Sequence, residues 1–163
     1  MDVLGLDLGT STGYCYNRGD HIFCGTWELA TAKEITAWGK DRKRRTGDPR
    51  IRRLCDNIAS IDYLDIVAYE DVQFGSTTFQ TQLWSGLRSA VWLCARAGIT
   101  ECVPVGTLKK FATGHGGATK EAMMKALLRD RPRFFSEDIS LDDNACDAYH
   151  IWNWATKTLA RTT

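Results

Sequence analysis

The chain has 163 residues, 44% hydrophobic and 25% charged, which suits one globular domain with a full core and leaves too little for a second; residues 1–163 are read as a single domain. No apolar run reaches membrane-spanning length, and the N-terminus lacks a basic region followed by a long apolar stretch, so a cytoplasmic protein with no membrane partner is expected. The six cysteines show no C-x-x-C spacing and mostly sit in apolar stretches, which reads as small core residues in a reducing compartment rather than zinc ligands or disulfides.

In chain order, Val3–Asp7, Gly13–Asn17 and His21–Leu29 alternate or run apolar between turn signals, which predicts three strands in a meander. Asp7 stands out because it ends an apolar run and is followed by Gly9, Thr10, Ser11, Thr12 and Gly13. A buried strand does not carry a carboxylate without a compensating cation or hydrogen bonds, so a metal or phosphate site is expected there; an Asp that merely caps a turn is the plainer alternative. Gly9 and Gly13 allow a tight turn and close backbone approach, so a hairpin should follow.

Residues 35 to 61 are helical in tendency, broken at Gly47-Asp48-Pro49, where Pro49 ends one helix and starts another. Across this break, Lys40 to Arg53 holds eight basic residues against Asp41 and Asp48, so the rest of the chain is net acidic. Arg44, Arg45, Arg52 and Arg53 are therefore candidate contacts to a nucleic-acid backbone, with a solvated helix face as the alternative. Leu64–Glu70 is a fourth strand that also finishes on a carboxylate. Phe79, Leu83, Leu87, Ala90 or Val91, and Cys94 recur at helical spacing in a segment that closes at Gly98, and Ile99–Val105 is a fifth strand. Lys109–Leu128 is helical on either side of a turn at 114–117. Arg131-Pro132 marks a break, and a last helix runs from about Asp142 to Ala160 with Ala148, Ile151, Trp152, Ala155 and Leu159 on one face. The sum is an α/β domain with a mixed sheet.

Asp7 and Glu70 both end strands, where α/β sheets place their sites, and Asp142, Asp143 and Asp147 open the last helix. Capping and the helix dipole account for one or more of these last three without any site. Carboxylates from three elements, with no Cys or His cluster beside them, select a hard ion such as magnesium or manganese. Two such ions could bind the attacking and leaving oxygens of a phosphodiester.

Four motifs, Gly5-Leu6-Asp7-Leu8-Gly9, Ala68-Tyr69-Glu70, Lys109 to Lys120 and Asn144-Ala145-Cys146-Asp147-Ala148, together with the element order, resemble RuvC-type Holliday junction resolvases of the ribonuclease H-like superfamily, particularly the small bacteriophage versions. The resemblance spans nearly the whole chain. It implies a ribonuclease H-like five-stranded mixed sheet flanked by helices, and a homodimeric, structure-selective endonuclease that resolves four-way DNA junctions in recombination and repair, in a bacterial host's cytoplasm if phage-encoded. It also implies two magnesium (or manganese) ions per site, held by Asp7, Glu70, Asp147 and a fourth ligand. Where many relatives have an acid or His, this chain has Asn144, so Asp143 is assigned that place, with Asn144 as a weaker alternative and Asp142 as a cap.

By the same resemblance Lys120 is a catalytic candidate, and Lys109, Lys110 and Lys120 are DNA-binding candidates near the scissile phosphate; as residues alone they read as surface lysines. Gln73 and Phe74 stand where relatives carry an aromatic wedge for the junction, although an apolar residue under the next helix is an equal reading of Phe74. Trp84 and Trp92 lie off the core stripe of their helix and are candidate dimer contacts. The opening motif also resembles actin-like and sugar-kinase ATPases, which need a second domain that this length cannot supply. Two alternatives stay open: a YqgF-like RNA-processing nuclease, and a branched-DNA binder that has lost catalysis through Asn144.

Overall fold

Residues 1–41, 47–71, 77–130 and 142–159 are described by the computed structural model. Strands β1 (Val3–Asp7), β2 (Ser11–Arg18) and β3 (His21–Glu28) are followed by helices α1 (Ala32–Asp41) and α2 (Pro49–Ala59). Then come β4 (Leu64–Asp71), α3 (Thr78–Cys94), β5 (Ala97–Pro104), α4 (Val105–Thr113), α5 (Lys120–Asp130) and α6 (Asp143–Thr158). The sheet order is β3-β2-β1-β4-β5. The first three strands pair antiparallel, and β4 runs parallel to both β1 and β5. This is the expected α/β architecture, a five-stranded mixed sheet of ribonuclease H-like form flanked by helices. Among the described residues, no helix is long and apolar enough to cross a membrane.

Strand alternation divides the core in two. Leu4, Leu6 and Leu8 of the β1 segment join Val67 and Tyr69 of β4 against α2 and α3, through Leu54, Ile58, Leu83 and Leu87. Val3, Ile66 and Ala68 face the other way, toward Leu108, Met123, Leu127 and the buried side of α6. Asp7 and Glu70 continue the second set by parity and project on the α6 face.

Several boundaries differ from expectation. β2 starts at Ser11. β5 starts at Ala97, so Gly98 is a strand residue and α3 closes earlier, where Ala95 N–H bonds the Val91 carbonyl. Pairing of Leu64 with Ala97 extends the strand at that end. Gly13 lies within β2 as expected, opposite Asp7, and takes the close backbone approach; the turn is closed by Thr12, whose hydroxyl donates to the Gly9 carbonyl at 2.8 Å.

The reading of all six cysteines as unpaired thiols is corrected for two of them. Cys15 and Cys24 are register partners across β2 and β3 with Cα atoms 4.1 Å apart, and they form a disulfide. Such a short separation belongs to antiparallel pairs whose side chains stand closest. Cys55, Cys94, Cys102 and Cys146 are free.

α6 packs on β1, β2, β3 and β4 and against α4 and α5, and it is buried on more than the single face expected: Tyr149, His150, Asn153 and Trp154 are inside as well. Its approach to the sheet depends on missing side chains. A Cβ on Gly5 would lie 2.5 Å from the Trp152 nitrogen and 2.6 Å from the Ala148 carbonyl oxygen, and one on Gly13 would overlap the Asn144 carbonyl. Buried Asn17 fastens the other end of the contact, its Oδ1 accepting from Val3 N–H and from Trp152 Nε1, each at 3.0 Å. Because the obstacles at Gly13 are backbone atoms, Gly13→Ala should shift α6 and cost on the order of 1–3 kcal/mol, as overpacking does. Chemical denaturation of the variant beside Gly39→Ala, where an added Cβ meets nothing within 4 Å, checks this.

Candidate metal centre

The register Leu6↔Tyr69 carries Asp7 and Glu70 to the same edge of the sheet. α6, lowered onto Gly5 and Gly13, brings Asp147 to that edge from above. Asp142 caps α6 as expected, its Oδ1 accepting from Ala145 N–H at 2.8 Å. Thr26 of β3 donates to both Asp142 oxygens, at 2.7 and 2.8 Å, which ties the start of the helix to the sheet. Asp71, next after Glu70, turns away and pairs with Arg88 at 2.7 Å.

Asp7, Glu70 and Asp147 share one electrostatic environment. Burial, reinforced by the charges of Asp147 and Glu70, pushes the Asp7 carboxyl up to about 8. Burial and the Asp147 charge push Glu70 up to about 7. Asp147 is raised chiefly by burial, which Lys120 and Lys109 oppose. Among the described residues, none of these three carboxylates forms an ion pair or accepts a hydrogen bond from a side chain. Among the described residues these three half-buried acids have Lys120 and Lys109 acting on them and no direct partner, which makes a site that favours protons or an external cation.

The donor set, oxygen only, suits a hard divalent ion. Among the described residues, however, no three His, Cys, Asp or Glu side chains are arranged to hold one ion as they stand. Asp143, assigned from sequence to the fourth ligand place, is exposed and forms an ion pair with Lys120 at 3.2 Å. Asn144 is half-buried, and its backbone carbonyl packs over Gly13.

Lys120 begins α5 and acts on Asp7 and Asp147 as well as Asp143, so it stands at the site's rim. Half-buried Lys109 acts on Glu70 and Asp147, whereas Lys110 is exposed. Gln73, Phe74, Arg44 and Arg45 lie outside the described residues. Arg52 is exposed on α2. Arg53 is engaged: it donates to the Leu29 carbonyl at 2.7 Å and to Glu34 at 2.8 Å, and this bond is the chief reason the Glu34 carboxyl falls to about 2.

The basic segment also shrinks in a way that composition conceals. Arg50, counted in it, is only 3% exposed and is clamped by Asp48 through Nε at 3.0 Å and Nη2 at 2.7 Å. The sequence does contain the signal, since Asp48-Pro49 is a helix start and Arg50 lies in its first turn, within reach of the capping carboxylate. Trp84 packs partly buried against the α2–α3 core rather than standing free, while Trp92 is exposed and donates from Nε1 to the Tyr69 hydroxyl at 2.7 Å.

A carboxyl with a higher pKa folded than unfolded holds extra protons in the folded state, so stability falls as pH rises between the two values. With ordinary values of 3.8 and 4.5 and folded values of about 8 and 7, the window for Asp7 and Glu70 runs from about pH 4 to pH 8. The metal-free protein should lose melting temperature across that window. Magnesium should restore more of it at pH 8 than at pH 5.5, and Asp7→Asn should flatten the profile and melt a few degrees higher at pH 8, the size about 1–2 kcal/mol gives in a domain this long. Thermal melts over pH with and without magnesium are the check.

No protein-family model and no curated protein sequence matches the chain. Solved structures do. The fold is similar to that of Thermus thermophilus RuvC in complex with a Holliday junction substrate, with a TM-score of 0.70 and 18% identity over 99% of this chain and 96% of that one. A second Thermus thermophilus RuvC structure matches at TM-score 0.61 and 17% identity, again over 99% and 96%. The yeast mitochondrial Holliday junction resolvase Ydc2 matches at 0.56 and 14%, over 91% of this chain and 76% of its own. At these identities the likeness establishes a shared ribonuclease H-like fold.

Proposed function

We propose that the protein is a magnesium- or manganese-dependent endonuclease that resolves four-way DNA junctions, working as a homodimer with one site per subunit. The observation that carries this reading is the convergence of Asp7, Glu70 and Asp147, three half-buried carboxylates from β1, β4 and α6 at one sheet edge, with Asp147 acting on both Asp7 and Glu70. The fold shared with two RuvC structures along almost the whole chain supports the choice of substrate class.

Asp7, Glu70 and Asp147 would hold two ions, with Asp143 completing the set once released by Lys120, or Asn144 in its place. Magnesium is commonly held by one or two carboxylates together with water and substrate phosphates, which fits a site that is not closed on its own. When bound, such ions lower the pKa of water and stabilise the attacking and leaving oxygens of an in-line displacement. Lys120, freed from Asp143, would face the charge that develops on the phosphate, while Lys109, Lys110 and Arg52 would contact the backbone. The C-terminal half of α3, where Trp92 and Leu93 are 68% and 84% exposed, is our candidate for the subunit interface.

A branched-DNA binder without cleavage is the second reading, favoured by one observation: Asp143 is engaged by Lys120 and Asn144 is no acid. Asp7→Asn should bind a four-way junction as wild type does and lose nicking by at least about 100-fold, the scale on which removal of one charge-stabilising group slows an active site. Retained nicking contradicts the metal assignment, and wild-type binding without nicking favours the binder. In the same assay Asp143→Asn should be the more damaged of Asp143→Asn and Asn144→Ala; the reverse order moves the fourth ligand to Asn144.

A further inference from the structure

On the sheet face away from α6, the edge that carries Asp7 opens into a cavity of about 420 Å³, within the range of small-ligand pockets. Its wall starts at Gly9 and Thr10, two and three residues beyond Asp7, and continues through Arg50 of α2 and Phe79, Gln80 and Trp84 of α3. It therefore adjoins the carboxylate site without sharing any residue with it.

The chemistry of this wall is selective. Arg50 is the cation on it, but both arms of its Asp48 clamp are made, so the pair is close to neutral. The guanidinium stands 5.3 Å from the Phe79 ring centroid and 5.9 Å from that of Trp38, and its Nη1 donates to the Thr10 hydroxyl at 3.2 Å. Thr10, accepting there, keeps its own O–H for another acceptor. Among the described residues that line it, a phosphate would find no uncompensated charge. A flat neutral group with a hydrogen-bonding edge would find aromatic surface from Phe79 and Trp84, the Thr10 hydroxyl and the Gln80 side chain. Unpaired bases are held in this manner, by stacking on aromatic rings and hydrogen bonds to their edges.

Resting on the nuclease reading above, we infer that the cavity takes one unpaired nucleobase of the bound DNA, beside the phosphate served by Asp7, and so gives cleavage a base preference. Phe79 and Trp84 supply the stack. Thr10 and Gln80 read the edge. Arg50, held by Asp48, is a positioning residue that fixes Thr10 and Phe79.

The test uses the full chain and end-labelled four-way junctions in magnesium, with each of the four bases, and then an abasic residue, placed in turn at the positions flanking the mapped nick. Single-turnover rates for wild type should differ by about tenfold between the best and worst base at one position, the scale of a good base-edge contact. The abasic residue there should be cut as slowly as the worst base. Gln80→Ala, on an exposed helix position that does not threaten folding, and Phe79→Leu, which keeps apolar volume but removes the ring, should each bring that ratio close to one. Equal rates for all bases in wild type, or an unaltered ratio in both variants, overturns the inference and leaves the nuclease reading standing. Absence of metal-dependent cleavage of every junction removes the nuclease reading and this inference with it.

Discussion

Everything at the candidate centre depends on how closely the backbone of α6 approaches β1 and β2. Gly5 and Gly13 make that approach possible, since the Ala148 carbonyl, the Trp152 nitrogen and the Asn144 carbonyl occupy the space where Cβ atoms would stand. Asn17 holds the deeper end through Trp152, and Asp142 with Thr26 holds the outer end. With the helix fixed at both ends, Asp147 has little freedom to leave Asp7 and Glu70. The cost of placing these three acids together is therefore borne by the packing of the entire second core, an arrangement common where a fold spends stability on a site.

The electrostatics follow from that placement. Burial, rather than the neighbouring charges, is the first cause of the raised values at Asp7, Glu70 and Asp147 alike. Lys120 opposes the effect from the rim while bonding Asp143, so a single lysine influences three carboxylates and satisfies only one. A divalent ion would relieve the other two more effectively than a distant ammonium can, because Coulomb attraction rises with charge and with approach. On the opposite face, the Asp48 clamp on Arg50 shows the contrary solution, a buried charge matched within the protein, and among the described residues it leaves the lining of the adjoining cavity neutral and aromatic.

Much of this was legible from residues alone, for identifiable reasons. Asp7 and Glu70 stood out because an acid at the end of an apolar strand conflicts with burial, and Asp147 because it precedes the buried run of α6. The mixed sheet followed from the meander and the alternation of later strands and helices. Gly13 was legible as a place of close backbone approach, but which backbone was not, since the partner is a helix more than 130 residues later in the chain. Arg50 and Arg53 were misread because counting charges ignores pairing; Asp48 stands two residues from Arg50 at a legible helix start, whereas Glu34 becomes visible as the partner of Arg53 only when α1 and α2 are placed. The Cys15–Cys24 bond requires strand register, which composition does not carry. The cavity beneath Phe79 and Trp84 could not have been read from a helical stripe, since it forms where α2, α3 and the turn after Asp7 meet.

The central claim is that Asp7 and Glu70 are held unpaired beside Asp147 and await a cation. It is tested most directly by carbon-detected NMR titration of their carboxyl groups in metal-free protein, repeated in magnesium. The account predicts midpoints far above the ordinary carboxylate range, near the values of about 8 for Asp7 and about 7 for Glu70, with both falling on addition of the ion. Midpoints close to 4 in metal-free protein, unmoved by magnesium, would contradict it.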